Sequence, residues 1–293
     1  MNQANFPTRP TPWTLSVLLL ALFVWSSHSM AHSRFILPSH TVLSTERAET
    51  ISLMASISND PFHPDMALGH ADPQTMPPAL GALFKQLEST VVLPDGAVAA
   101  GPEWQAFGRF SAADATLEQS GTYRLRLTQR QTPMTTYLDK EGTAAKAFGP
   151  APTLPDGATR ITRRMIAANV ETYVSRQQAT KAAVRPLGQG LELSGDTHPN
   201  DLFVNEPISF RLTFNGQSPG KPVALSLIRG NSRHRNQREE LAVSTDANGN
   251  FSFQLQTPGY YLLEASLVQP GADDDPIQFY HHDLFVTLEV FPQ

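Results

Sequence analysis

The sequence predicts a mainly β protein built from two antiparallel β-sandwiches, with one short helix in the first. Three observations carry this expectation. Apolar and polar residues alternate over short runs, most cleanly at Ile208, Phe210, Leu212 and Phe214. Turn signals such as Pro94-Asp95-Gly96 and Asn215-Gly216 separate those runs. Prolines (24) outnumber glycines (18), which suits short strands and frequent turns better than long helices.

Residues 1–31 read as an export signal. A polar segment with Arg9 as its one charge leads into the apolar run LSVLLLALFVW at 15–25, and Ser29-Met30-Ala31 supplies small residues for cleavage. The run is shorter than the ~20 residues a bilayer-spanning helix needs. The mature chain is therefore expected in a periplasm or an equivalent exported space. Cleavage after Ala31 makes His32 the first residue; cleavage after Ser29 leaves Met30-Ala31-His32.

The elements follow in order. Residues 34–37, 50–58 and 89–93 read as strands, as do 107–110 and 121–127. Residues 77–87 carry Leu80, Leu83, Phe84 and Leu87 at helical spacing and form the one helix candidate. After 188, strands are expected at 208–214, 223–227, 251–255, 259–267 and 277–291. The boundaries expected are a first β-rich domain over 32–131, a connector over 132–187 and a second sandwich over 188–293. The connector carries Pro133, Pro150, Pro152 and Pro155, and residues 165–175 are a candidate crossover strand. Its basic residues, Arg160, Arg163, Arg164, Arg176, Lys181 and Arg185, read as a solvated strand face.

The two halves echo one another. Gly121-Thr122-Tyr123 and Gly259-Tyr260-Tyr261 each enter a late strand. A glycine-x-tyrosine there resembles the tyrosine corner of immunoglobulin-like sandwiches, in which the hydroxyl bonds back to the chain. Both sandwiches are therefore expected to be immunoglobulin-like.

Composition narrows the function. The net charge of −5 lacks the clustered basic surface a nucleic-acid partner needs. Cysteine is absent, so disulfides, thiolate metal sites and a cysteine nucleophile are all excluded. No G-x-S-x-G, H-E-x-x-H, phosphate-cradling or dinucleotide motif is present, and no enzymatic activity is expected. Asp246-Ala247-Asn248-Gly249-Asn250 lacks the distal glutamate of a calcium loop and reads as a hairpin turn.

Histidines are the chemical signal that remains. A mature N-terminal His32 can chelate one ion through its α-amine and Nδ1, and a third-position histidine can use its amine, backbone amides and imidazole; both suit Cu(II) or Ni(II). His63 lies with Asp65 in a proline-bounded loop, and His70 follows it. His281 and His282 are adjacent on a strand, so they face opposite sides; His281 would work with Asp283, and His282 with Tyr280. The expected constellation is His32 plus one or two of His63, His70, His281 and His282. His198 and His234 read as structural or exposed.

Several of these motifs, taken in order, resemble the DUF4198 family of exported bacterial proteins. They are His32-Ser33-Arg34-Phe35-Ile36-Leu37-Pro38, Ser58-Asn59-Asp60-Pro61-Phe62-His63-Pro64-Asp65, Glu171-Thr172-Tyr173-Val174, Gly190-Leu191-Glu192-Leu193, Thr197-His198-Pro199-Asn200-Asp201-Leu202, Thr245-Asp246-Ala247-Asn248-Gly249 and Pro258-Gly259-Tyr260. The resemblance implies a periplasmic component associated with nickel or cobalt uptake, with a metal transporter or outer-membrane receptor as partner. Some members bear a lysozyme-like glycosidase name, but the family supplies no catalytic residues to carry over. His281-His282 departs from its pattern, which has a tyrosine-rich last strand there. Two functions are thus expected in competition. One is a periplasmic Ni, Co or Cu binding accessory protein. The other is a metal-free immunoglobulin-like adaptor for a membrane receptor, peptide or glycan. In both, contact with a membrane comes only through a partner.

Overall fold

A computed structural model describes residues 32–69, 87–230 and 240–293. The signal segment, His70, His234 and all of the helix candidate except Leu87 lie outside the described residues. Within them the regular structure is entirely β.

Sheet one is built on β1 (Ser33–Pro38), β3 (Glu49–Ser58), β8 (Ser111–Leu117) and β7 (Gln105–Ala106), in that order, with β4 (Met66–Ala67) also paired to β3. Residues 107–110, expected as a strand, form the turn between β7 and β8, closed by the Phe107 amide on the Phe110 carbonyl at 2.8 Å. Gly108 and the stacked rings of Phe107 and Phe110 explain why an apolar pair sits in a turn here.

Sheet two is the spine of the chain. Its central strands are β17 (Gly259–Pro270), β18 (Phe279–Val290), β11 (Thr159–Arg176) and β9 (Gly121–Leu138), in that order. Beyond β17 lie β14 (Ala224–Arg229) and β15 (Glu240–Ser244); beyond β9 lie β5 (Leu87–Val92) and β6 (Val98–Ala100). β10 (Ala144–Phe148) pairs with β9, and β2 (Val42–Leu43) pairs with β11. The third sheet is β12 (Leu191–Ser194), β13 (Ile208–Phe214) and β16 (Asn250–Phe253).

The two expected sandwiches share this spine as a common wall. Alternation along a strand sends successive side chains to opposite faces, and here it divides them between two cores. Val170 and Val174 of β11, Leu262 of β17 and Phe285 of β18 join Phe35, Ile51 and Leu53 beneath the first sheet. Tyr173, Leu263, Leu284 and Val286 face the other way and join Leu193, Phe210 and Phe251 of the third sheet. The segment 132–187, expected as a connector, therefore supplies the middle of the structure. The candidate crossover strand is β11, which pairs antiparallel with β9 and parallel with β18. The chain builds most of the second sandwich between β11 and β18, and such an excursion is what a parallel neighbour requires.

Both tyrosine corners form. The Tyr123 hydroxyl accepts from the Gln119 amide at 2.6 Å and donates to its carbonyl at 3.0 Å. The Tyr261 hydroxyl donates to the Thr257 carbonyl at 2.7 Å. The Asp246 loop is a hairpin turn: Gly249 has φ +90°, and the Asp246 carboxylate accepts from the amides of Asn248 and Asn250.

The arginines of 160–185 do not form one surface. Arg176 is buried, and its guanidinium donates to the carbonyls of Thr45, Glu46, Arg47, Glu118 and Gln119. That correction follows from its position at the end of β11, where chain ends converge and leave carbonyls without strand partners.

Candidate functional site

The predicted histidines fall into two places. The first is the loop after β3. Ser33 pairs with Ser58, so His32 arrives beside Asn59, and its Nδ1 lies 2.7 Å from Asn59 Oδ1. One residue on, the Asp60 carboxylate receives Nδ1–H of His63 at 2.7 Å. Consecutive residues of one loop thus hold both imidazoles.

This loop is built rather than slack. Ser58 Oγ donates to the Asp65 carboxylate at 2.9 Å and accepts from the Asp60 amide at 3.0 Å. Phe62 takes a left-handed backbone (φ 67°), unusual for a bulky residue, and its ring pays that strain by burial against Phe35 and Tyr260 in edge-on contacts. Gly230 makes room for it: a Cβ there would meet the Phe62 ring at 1.9 Å. Asp65, expected to assist His63, instead braces the loop and faces Arg109 at 3.6 Å.

The second place is β18. His281 Nε2 accepts from Arg164 Nη1 at 2.9 Å, so its lone pair is taken by a cation. Burial, against the nearby Asp283 carboxylate, holds the His281 pKa below the usual imidazole value, and Arg164 adds to that lowering. His282 is buried on the opposite side, with its ring 4.6 Å from that of Phe214. Burial lowers its pKa as well. Asp283, expected to serve His281, accepts from Ser266 Oγ at 2.7 Å. Tyr280, expected to serve His282, donates to Asp275 at 2.7 Å instead.

The constellation joining His32 with His281 or His282 is therefore not assembled. Among the described residues, no three His, Asp or Glu side chains are grouped to hold a metal ion. The cause is strand geometry, which sets His281 against Arg164 of the neighbouring strand and turns His282 toward Phe214 of the third sheet. What the fold does is fix His32 and His63 on two neighbouring residues of one loop, Asn59 and Asp60. His198 is structural: Nδ1 accepts from the Asn200 amide, and Nε2 lies 3.0 Å from the Thr180 carbonyl.

A buried ionic cluster escaped sequence reasoning. Arg124 and Arg126 alternate on β9 with Tyr123, Leu125 and Leu127, and so point away from the first core. Arg124 donates to both oxygens of Glu171, at 2.9 and 2.7 Å, and to Glu192 at 3.0 Å; Arg126 donates to Glu171 at 3.0 Å. Glu192 also accepts the amides of Leu187, Gly188 and Gln189. Burial pushes the Glu171 carboxyl up, but the Arg124 and Arg126 guanidinium groups outweigh it and hold it below the usual carboxylate range. The cluster ties β12 to the spine. Its signal was present as the acidic residues inside Glu171-Thr172-Tyr173-Val174 and Gly190-Leu191-Glu192-Leu193.

Comparison with curated proteins finds no match. Among solved structures, the two tandem V-type regions of VCBP3, a v-region-containing chitin binding protein, align with 87% of this chain and 99% of their own at 9% identity. The TM-score of 0.19 means this likeness carries no argument here. The model of DUF4198, a domain of unknown function, matches residues 29–269, and the chain belongs to that family.

Proposed function

We propose that the chain is an exported, periplasmic accessory protein that binds Ni(II), Co(II) or Cu(II) at its mature N-terminus and hands the ion to a membrane transporter or outer-membrane receptor. The observation that carries this reading is the Asp60–His63 hydrogen bond beside His32. A carboxylate only accepts, so Nδ1 of His63 carries a proton, and in the neutral ring Nε2 is the nitrogen that holds the lone pair. That is the arrangement by which an outer carboxylate orients a metal-binding imidazole and raises its basicity. The α-amine released at His32 adds a second nitrogen and its imidazole a third, a set that suits these ions over Ca(II) or Mg(II). Chelation by amine and Nδ1 requires His32 to exchange its Asn59 contact for the ion. A site of two or three ligands at an exposed loop stays open to a receiving protein, as reversible delivery requires.

Calorimetry with Cu(II) and Ni(II) tests the proposal on protein processed to His32 and on protein carrying one extra N-terminal residue. One tight site is expected in the first and a weaker one in the second. Equal affinity in both removes the amine from the site.

A further inference from the structure

We infer that the face of the spine around Arg164 is a second binding site, for a carboxylate carried on an apolar body, such as a medium-chain fatty acid. Residues paired across a sheet share a face. The register therefore places Phe148, Met134, Arg164 and Phe279 in one row across β10, β9, β11 and β18. Thr132, Ile166 and His281 form the next row, which Val268 extends onto β17. Alternation along β11 puts both rows on the side of Ala168, Val170 and Val174, which is the side of the first core. Those three residues are buried, whereas the outer rows are only partly covered. Val268 and Phe279 are exposed, and Met134, Phe148, Arg164 and Ile166 are half-buried.

Arg164 is fixed on this face without a counter-charge. Its Nη1 donates to His281 Nε2 at 2.9 Å, and its guanidinium lies over the Phe279 ring, 5.5 Å from the centroid. Neither neighbour carries negative charge. Among the described residues Arg164 joins no ion pair. Asp283, two residues along β18 from His281 on the same face, accepts from Ser266 Oγ and offsets the charge of Arg34. Nε of Arg164 is buried with no hydrogen-bond partner, while Nη2 is neither bonded nor enclosed. An arginine does not give up its proton, so the charge stays. Taking a cation partly out of water with no partner costs free energy and calls for an explanation.

These neighbours select the ligand class. Nη2 offers an acceptor one charge-assisted hydrogen bond, of the stronger kind. A single cation matches a monoanion; a dianion would bring an uncompensated charge onto a largely apolar face. Phe279 and Val268 on one side of Arg164, and Met134 and Phe148 on the other, can take the apolar body of the ligand out of water. The row from β10 to β18 spans three strand spacings, about 14 Å, which gives a chain of medium length room to lie across it. This site is separate from the proposed metal loop, and its test needs no metal.

The probes are octanoate, octanamide and acetate, titrated into the processed protein in EDTA and followed by ligand-observed NMR. Octanoate is expected to bind at one site. Octanamide has the chain without the charge and acetate the charge without the chain, so each should bind at least about tenfold more weakly. Arg164→Gln should weaken octanoate about ten- to hundredfold, the loss of one charge-assisted bond, and leave octanamide unchanged. If melting curves show that Arg164→Gln does not fold, Phe279→Glu, which gives Arg164 a carboxylate within the protein, decides by the same loss of octanoate. No octanoate bound, acetate or octanamide bound as tightly, or an octanoate affinity unaltered in the folded variant would overturn the proposal.

Discussion

His63 and His281 carry the same side chain, and each is fixed by one charged neighbour, but the neighbours have opposite sign. Asp60 takes the proton of His63 Nδ1 and leaves the other nitrogen as a donor of electrons. Arg164 gives a proton to His281 Nε2 and consumes the lone pair a metal would use. The comparison teaches that a histidine's fitness as a ligand lies in its partner rather than in its place in the sequence. It extends to whole regions: the Arg124–Glu171–Arg126–Glu192 cluster is satisfied from within and serves the fold. The 59–65 loop is fixed on one side and open on the other.

The largest effect should come from breaking the internally satisfied cluster. Arg124→Ala leaves Glu171 and Glu192 buried with too few donors, and a loss of about 3–5 kcal/mol in urea-unfolding free energy is expected. An unchanged midpoint would mean the cluster is not desolvated as described. Next comes the loop. Asp60→Asn removes the carboxylate that orients His63, and Ni(II) affinity by calorimetry should drop about ten- to hundredfold, whereas His281→Gln should leave it unchanged. Equal effects of the two would erase the distinction drawn between the two histidines.

Smaller is the tyrosine-corner pair. Tyr123→Phe loses both bonds to Gln119 and Tyr261→Phe one bond to Thr257, so each should cost about 1 kcal/mol in unfolding free energy, with Tyr123 the more costly. The mildest is a slope with pH. Burial lowers the pKa values of His198, His281 and His282. Below about 6.5 the unfolded chain binds protons that the folded chain does not. Stability is therefore complete above that pH and declines as pH falls toward the lowered folded values. Urea midpoints across the window should show the decline, and His281→Gln should flatten it.

The strands were legible because alternation along Ile208, Phe210, Leu212 and Phe214 reports a buried face directly, and Gly-x-Tyr reports the corners. The shared spine was not. β11 is buried on both faces from Ala168 to Arg176, so its residues do not alternate cleanly, and its prolines upstream read as a linker. At the site, the sequence offered His63, His70, His281 and His282 alike as partners for His32 and gave no means of choosing, because the Ser33–Ser58 pairing that sets His32 beside Asn59 joins two separate strands. The exclusion of His281 was not legible either, since Arg164 reaches it only through the parallel β11–β18 register.

The central claim, that the released His32 end and His63 hold one transition ion, is tested most directly by native mass spectrometry of the protein isolated from the periplasm after growth with Ni(II) or Cu(II). The account predicts a chain beginning at His32 with one ion bound, and a His63→Ala chain with the same start and no ion. A chain that keeps its leader, or an ion retained equally by His63→Ala, would contradict it.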